Sequence, residues 1–462
     1  MKTFIKSSAF GWMLTTKFLF TLLFFSSCQK EINHPPQQQE IATAANSNSE
    51  HGHLQQTKTF SSEVVIKWMD MQLELLRTTV PAAGQQSARH IAYSGVALYE
   101  SVQPGMPAYQ SIASQLNGLP AMPASSPGLA YHWPACANAA LAFMNRNFYP
   151  TASAAKKASI DSLENALNAA YQTEVNAETF QRSVDFGKAV AQLIFDWSKT
   201  DGSANVNPPY VSPVGQGLWV PVPPAFGSAV APYFGNLRLF VAGSLDGSEP
   251  PPPVAYSTDP GSDYYQKVKE VYDVSQTLTP DQIASGLFWR DNPGYFGPGH
   301  FLSITKQVLQ KAGAALDAAA IAYAKVGIAL VDGLIGSLKS KYQYTTERPI
   351  TYIRGVLGHA PWNSLFNTPA QPEYPSAHAN SAGAVGEILS GLYGANFQYT
   401  DHTYDYLGMA PHTYNSFQDL YTEMINARVY AGIHLRYACE IGIEQGRKIA
   451  QNIDSKLKFL KE

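Results

Sequence analysis

Three short segments between residues 341 and 434 set this sequence apart. They read KYQYTTERP at 341–349, PSAH at 375–378 and RVYAGIH at 428–434. Together they contain lysine and arginine cations, a serine hydroxyl and two histidines. Charge-assisted hydrogen bonds from such cations are the strong ones that proteins use to hold carboxylate and phosphate groups. We therefore expect the fold to bring the three segments together around one oxyanion.

The first segment pairs Lys341 with Arg348. Seven residues are almost two helical turns, so both side chains would project from one face of a helix. Pro349 follows directly and predicts that the helix ends or kinks at Arg348, because proline lacks the backbone N–H. The alternative for such a pair is a solvated helix face.

The second segment precedes a run of small residues at 379–392 that predicts a helix. Ser376 is well placed as its N-cap. The backbone N–H groups of Ala377 and His378 would then point out of the helix N-terminus, which is a ready anion site. The alternative is plain capping, with His378 in solvent.

The third segment lies on a predicted helix at about 419–456. Arg428 and His434 are six residues apart, which places their side chains about 120° apart on an ideal helix. They would flank one pocket without stacking. The alternative is a surface arginine and a packed histidine.

The composition is that of a folded globular protein. The chain has 462 residues, of which 45% are hydrophobic and 15% are charged. The formal net charge of −3 gives no global field that attracts nucleic acid, so any anion binding must come from a local cluster. Helical stripes recur, and no run has a trustworthy strand period, so the predicted fold class is all-α. One such stripe is Ile160, Leu163, Leu167 and Tyr171.

The N-terminus is interpreted as a processing segment at 1–28. A basic start, an apolar run at 18–25 and two serines before Cys28 resemble a bacterial lipoprotein signal, with lipid on the Cys28 thiol. An ordinary secretory signal or an uncleaved anchor are the alternatives. The polar stretch at 29–60 is predicted to be a flexible tether.

The body is predicted to have two helical halves, at 61–202 and 279–462. Proline clusters predict an irregular connection at 203–278, because proline is excluded from helix interiors. The apolar run at 314–338 is interrupted by three charges, which disfavours a membrane span. Outside the signal, two cysteines remain, and we expect Cys136 and Cys439 to be buried free thiols.

The three segments, in this order, resemble the signature shared by vanadium-dependent haloperoxidases and the type 2 phosphatidic acid phosphatase superfamily. That signature runs Lys-x6-Arg-Pro, then Pro-Ser-Gly-His, then Ser-Arg-x5-His. The residues from Ser87 to Tyr99 are similar, more loosely, to the additional half of bacterial haloperoxidase-like proteins. The resemblance implies helical bundles of the haloperoxidase and acid phosphatase type, here with a long proline-rich insertion.

The resemblance also implies a role for each matching residue. His434 would be the axial vanadium ligand, or the nucleophile that accepts a phosphoryl group. His378 would be the acid–base group on the opposite side. The vanadate or phosphate oxygens would be bound by Lys341, Arg348, Ser376, Ala377 and Arg428.

Two activities and one non-enzymatic reading follow. The favoured activity is vanadate-dependent oxidation of halide, or sulfide, by hydrogen peroxide, in which Lys341 polarises the peroxide and His378 shuttles its proton. The large soluble N-terminal half favours it. The alternative is a metal-independent acid phosphatase or lipid-phosphate phosphatase that cleaves a phosphate monoester through a phosphohistidine at His434. The third reading is an envelope protein with a decayed anion site.

The sequence departs from the signature at four positions. Ala377 replaces the glycine, where its methyl group disfavours a positive φ, and Ala427 replaces the serine before Arg428. Ala438 stands where an aspartate commonly follows the second histidine, so the partner that orients the ring is unassigned, and Glu440 is poorly spaced for it. Gln371 stands where haloperoxidases often have an aromatic residue, which leaves the halide pocket open. A further histidine, His300, is expected either in a structural loop or at the pocket rim.

Overall fold

The computed structural model describes residues 55–79, 84–291, 293–295 and 297–461, and these are mostly helical. The signal segment with Cys28, and the tether up to residue 54, lie outside the described residues. A three-residue antiparallel hairpin joins β1 (Tyr399–Asp401) to β2 (His412–Tyr414). The all-α prediction is therefore confirmed, with this hairpin as an addition to it.

The helices of the N-terminal part are α1 (Glu63–Thr78), α2 (Gly84–Val102), α3 (Trp133–Phe148), α4 (Ala154–Tyr171) and α5 (Ala177–Ser198). Those of the C-terminal part are α6 (Asp263–Gln276), α7 (Pro280–Phe288), α8 (Pro298–Lys311), α9 (Leu316–Tyr344), α10 (Pro349–Gly355), α11 (Ala377–Tyr393), α12 (Phe417–Tyr430) and α13 (Arg436–Lys456).

Two predicted boundaries differ from the structure. The tether predicted to reach residue 60 is already packed at residue 55, where the Trp133 indole donates to the Gln55 carbonyl at 2.7 Å and Thr57 is buried. The connection predicted to be irregular at 203–278 contains α6, which Ser262 caps by accepting a hydrogen bond from the Tyr265 N–H. The proline clusters all lie before α6, and they are outside helices as predicted.

Helix α9 is the centre of the C-terminal part. Among the described helices, it alone has the length and hydropathy of a membrane span, but 89% of its most apolar window is buried inside the protein. Its Asp332 carboxylate is buried and accepts from the N–H groups of Phe240 and Val241 at 2.8 and 3.1 Å and from the Ser244 hydroxyl at 2.8 Å. A buried charge needs such partners. Helix α9 is therefore a core helix, and Asp332 anchors the proline-rich connection to it.

Helices α11 and α13 approach each other at backbone distance. A Cβ on Gly442 would lie 2.6 Å from the Ser376 carbonyl oxygen, and a Cβ on Gly446 would overlap the Asn380 carbonyl. The Ser376 N–H in turn donates to the Ala438 carbonyl at 3.0 Å. This close contact fixes the N-terminus of α11, which carries the second sequence motif, against the start of α13.

The Gly446→Ala substitution is expected to destabilise the protein by about 1–3 kcal/mol, because the added methyl group meets a backbone oxygen that cannot rotate away. The matched control is Gly391→Ala, at an exposed position of α11 where a Cβ has no contact closer than 3.7 Å. That control should be neutral, or stabilising by up to about 1 kcal/mol, through helix propensity. Urea unfolding followed by circular dichroism measures both, and equal midpoints for the two variants would contradict the packing described.

Candidate active site

The first motif is divided between a helix and a loop. Lys341 is in the last turn of α9, and the helix ends at Thr345, which has a left-handed φ of +49°. Arg348 precedes α10 as its N-cap residue, and Pro349 is the first residue of that helix. The prediction of one helix face for both cations is therefore wrong, and Pro349 begins a helix rather than ending one, as proline does at the first helical position.

The third motif is also divided. Arg428 is in the last turn of α12, whereas His434 lies in the connection between α12 and α13. Gly432 has a φ of +75° there, and a Cβ on it would lie 2.8 Å from the Trp362 ring. The single helix predicted at 419–456 is wrong, and His434 reaches the site from a turn that glycine makes possible.

The second motif follows the prediction more closely. Ser376 is the N-cap of α11, and its hydroxyl accepts from the Ala379 N–H at 3.4 Å. Ala377 is the first residue of the helix and has no positive φ, so its methyl group causes none of the backbone strain expected from the missing glycine.

Lys341 and Arg348 are held by one short stretch of backbone. The Lys341 ammonium donates to the carbonyls of Pro372 and Glu373 at 2.7 and 2.9 Å. Arg348 Nε donates to the Gln371 carbonyl at 2.7 Å. Burial lowers the pKa of Arg348 to about 10. Burial also lowers the pKa of Lys341, and the charge of Arg348 lowers this pKa further. An anion bound between these side chains would oppose both shifts.

Arg428 completes the set of buried cations. Its Nη1 donates to the Trp289 carbonyl, and its guanidinium lies 5.8 Å from the centre of the Phe366 ring. Arg428 Nε and Arg348 Nη2 are buried and have no hydrogen-bond partner among the described residues. Buried donors without partners are costly, so these two atoms are candidates to bind a ligand.

His434 is oriented by Glu373, which the sequence interpretation missed. His434 Nδ1 lies 3.0 Å from Glu373 Oε1, which also accepts from the Leu435 N–H at 2.9 Å. Burial and then the charge of Arg348 hold the pKa of His434 well below its ordinary value. The ring is therefore neutral, with its proton on Nδ1, and Nε2 faces Arg348 Nη1 at 3.1 Å. Ala438 removes nothing essential, because a loop carboxylate supplies the orienting partner.

His378 lines the cavity and is oriented by a different carboxylate. Its Nε2 lies 2.7 Å from Asp291 Oδ2, and its side chain is 24% exposed. Burial and the charge of Arg428 lower the pKa of His378, against the opposing effect of Asp291. Asp291 itself is buried with a left-handed φ of +61°. Such strain in a non-glycine residue is typical of functional sites. No sequence pattern pointed to Asp291.

A cavity of about 850 Å³ opens beside His378 and Arg428. The other predicted site residues, Lys341, Arg348, Ser376 and His434, are not among its lining residues. His378, Ala377, Arg428 and Gln371 line one part of it. Gln371 therefore faces the cavity, as its position in the sequence suggested, and the aromatic ring against Arg428 is provided by Phe366 instead. The remaining lining is largely apolar and includes Leu76, Val230, Pro298, Phe301, Leu334 and Leu365.

The other sequence expectations have clear outcomes. His300 is buried in the first turn of α8 and is not part of the cavity lining, so both expectations for it, a structural loop and the pocket rim, are wrong. Cys136 and Cys439 are buried free thiols, as predicted. Within the described residues, no group of three or more His, Cys, Asp or Glu side chains is placed to hold a metal ion. The buried donors instead fit a tetrahedral or trigonal oxyanion.

The comparisons with known proteins agree with this geometry. A family model described as the VCPO second helical-bundle domain matches residues 321–461. The chain is similar to the first bacterial vanadium-dependent iodoperoxidase of known crystal structure, with 29% identity and a TM-score of 0.80 over 87% of this chain and 98% of that one. A search of curated proteins found no match.

Two further crystal structures have the same fold. The holo-type bacterial vanadium-dependent chloroperoxidase has 16% identity and a TM-score of 0.61, over 84% of this chain and 92% of that one. The apo-type chloroperoxidase has 15% identity and a TM-score of 0.62, over 82% and 96%. The matched helical-bundle domain and the architecture shared with the iodoperoxidase support the resemblance of this chain to the vanadium haloperoxidase superfamily.

Proposed function

We propose that the chain is a vanadate-dependent haloperoxidase that uses hydrogen peroxide to oxidise halide. One observation carries the proposal. Arg348 and Arg428 each present a buried, unpartnered N–H beside a neutral histidine whose Nε2 is free of its own proton. The similarity to a bacterial iodoperoxidase supports the same reaction class and suggests iodide as the first halide to test.

The residues present fit vanadate. Lys341, Arg348 and Arg428 would hold its oxygens, together with the Ser376 hydroxyl and the Ala377 N–H. His434 would hold the group through Nε2, since Glu373 keeps the proton on Nδ1. Bound vanadate would supply the Lewis acidity that activates peroxide toward halide.

The protein's own groups would manage the protons. His378 donates Nε2–H to Asp291, which leaves Nδ1 as the basic atom of its ring. A neutral His378 would accept a proton from entering hydrogen peroxide through Nδ1 and return it as water leaves. Lys341 would orient and polarise the peroxide, because two of its three ammonium protons are held by backbone carbonyls and the third has no partner within the described residues.

The phosphatase alternative uses the same residues. His434 would attack a phosphate monoester through Nε2, and His378 would protonate the leaving group. The assay that separates the two activities tests purified protein for peroxide-dependent iodination and bromination with and without vanadate. In parallel, vanadate-free protein is tested on p-nitrophenyl phosphate. The proposal expects vanadate-dependent halogenation. Phosphate release that vanadate inhibits would replace it with the alternative, and inactivity in both assays would support a decayed site.

The first prediction concerns vanadate affinity. His434→Ala should abolish measurable binding. Lys341→Ala should weaken it by about 10–100-fold, because one charge-assisted hydrogen bond contributes about 1.5–3 kcal/mol. The matched control is Lys339→Ala, an exposed lysine on the same helix, which should bind as the parent does. Isothermal titration calorimetry with orthovanadate measures all three, and an unchanged affinity in both site variants would refute the assignment.

The second prediction concerns Glu373, the buried carboxylate that faces Lys341 and Arg348. Glu373→Gln should destabilise the vanadate-free protein by up to about 3–5 kcal/mol, because it leaves buried cations without their counter-charge. Added vanadate should then raise the Tm of this variant more than that of the parent.

The control for Glu373→Gln is Glu440→Gln, an exposed carboxylate on α13 near the same histidine in sequence. It should leave both Tm values unchanged. A Glu373→Gln variant that is as stable as this control without vanadate would show that Glu373 does not balance the buried charge.

We also propose that the chain is exported and anchored through a lipid on Cys28. The motif before that cysteine is the support, and its residues lie outside the described part of the chain. Detergent phase partitioning of the full chain, expressed in a bacterium with a lipoprotein pathway, tests this. Parent protein should enter the detergent phase, and Cys28→Ala should not. Partitioning that is the same for both would exclude the lipid anchor.

A further inference from the structure

A row of alternating imidazoles and carboxylates extends away from the cavity behind His378. After the His378–Asp291 contact, Asp291 Oδ1 lies 2.8 Å from His300 Nδ1. His300 Nε2 then lies 2.7 Å from Asp401 Oδ2. The His300, Asp291 and Asp401 side chains are at most 2% exposed. The row therefore connects the hairpin strand β1 to the catalytic end of α11 through the interior of the protein.

His300 must carry a proton on both nitrogens to make these contacts. Each nitrogen faces a carboxylate oxygen, and a neutral ring would direct a lone pair at one of them. Burial opposes the charge, but Asp401 and Asp291 together raise the pKa of His300 to about 9. The Trp289 ring stacks on the imidazole at 4.3 Å. His300 is thus a buried imidazolium held between two carboxylates.

Each carboxylate has further donors that fix its orientation. Asp401 Oδ1 accepts from the Thr403 N–H at 2.9 Å and from Gln307 Nε2 at 3.3 Å. Asp291 Oδ1 accepts from the Tyr404 hydroxyl at 2.8 Å. The titratable and charged groups that face His300 are therefore Asp291, Asp401 and Tyr404, with His378 and Arg428 beyond Asp291.

We propose that His300 and Asp401 are positioning residues for His378. The His300 imidazolium offsets the charge of Asp291, so Asp291 orients His378 through one hydrogen bond without drawing a second proton onto its ring. Asp401 keeps His300 charged, and this gives the small hairpin β1–β2 a role in the site. The inference rests on the proposed function, in which neutral His378 is the base that receives a proton from peroxide.

The physical consequence is a shift in the acidity of His378. Without the imidazolium, the buried Asp291 carboxylate loses the counter-charge that it contacts directly, and the His378–Asp291 pair gains stability by taking up a proton. In the parent the pKa of His378 is below its ordinary value. Activity is then present above that pKa and lost as the pH falls through it. In His300→Gln, the same loss should occur at a higher pH.

The test combines an NMR titration with kinetics. Purified protein labelled at the histidine Cε1 carbon is titrated, and His300 is assigned by its absence in His300→Gln. In the parent, His300 should remain protonated beyond pH 8, and His378 should titrate below 6.5. In His300→Gln, the pKa of His378 and the acid limb of kcat/KM for peroxide should both rise by about one unit or more.

The matched control is His359→Gln, a half-buried histidine outside the row whose ring stacks on Tyr272 at 3.8 Å. It should leave the His378 titration unchanged. If His300→Gln does not fold, Asp401→Asn should lower the pKa of His300 itself.

The proposal is overturned if the pKa of His300 in the parent is 6.5 or lower. It is also overturned if the pKa of His378 is the same in His300→Gln as in the control variant. Because the NMR titration needs no turnover, a parent without halogenation activity would contradict the proposed function and still leave the positioning role open to measurement.

Discussion

An excess of buried positive charge is the constraint on which the site depends. Lys341, Arg348 and Arg428 are all at most 1% exposed, and Glu373 is the carboxylate that directly faces the first two. Their hydrogen bonds to backbone carbonyls hold them in place but do not neutralise them. Uncompensated buried charge is strongly destabilising, and Glu373 and Asp291 offset only part of it. A bound anion would offset more. Binding of a small oxyanion to these cations is therefore expected to stabilise the folded protein.

Backbone packing makes that concentration of charge possible. The glycines of α13 let α11 approach closely enough for the Ser376 N–H to bond the Ala438 carbonyl. That contact fixes the helix N-terminus beside the turn that carries His434. The two histidines of the site differ in what lies behind them: His434 is backed by one carboxylate, whereas His378 is backed by a chain of two carboxylates and a charged imidazole. This difference suits the proposed roles of His434 as a ligand and His378 as a proton carrier.

The sequence predicted which residues converge better than it predicted the local structure that brings them together. The spacing of Lys341 and Arg348 correctly indicated convergence, but through a helix face that does not exist, because Thr345 turns the chain between them. Gly432 was the available signal that the last predicted helix is two helices. The all-helical fold followed from apolar stripes, which repeat and are therefore readable in one sequence.

Glu373 and Asp291 could not be found in the same way. Both act from irregular segments, where no period relates a side chain to its partner, and both meet histidines far away in the chain. Ala438 stands where the signature commonly has an aspartate, which indicated that some other group must orient His434. It did not indicate which group. Likewise, Gln371 signalled a changed cavity wall, and only the three-dimensional fold brought Phe366 to Arg428.

The most direct measurement is a crystal structure of the protein with orthovanadate. The account predicts one vanadium atom bonded to His434 Nε2, with its oxygens hydrogen-bonded to Arg348 Nη2, Arg428 Nε and the Lys341 ammonium. Two results would contradict this account: an oxyanion bound away from His434, or an oxyanion bound near His434 while Arg348 and Arg428 point toward solvent.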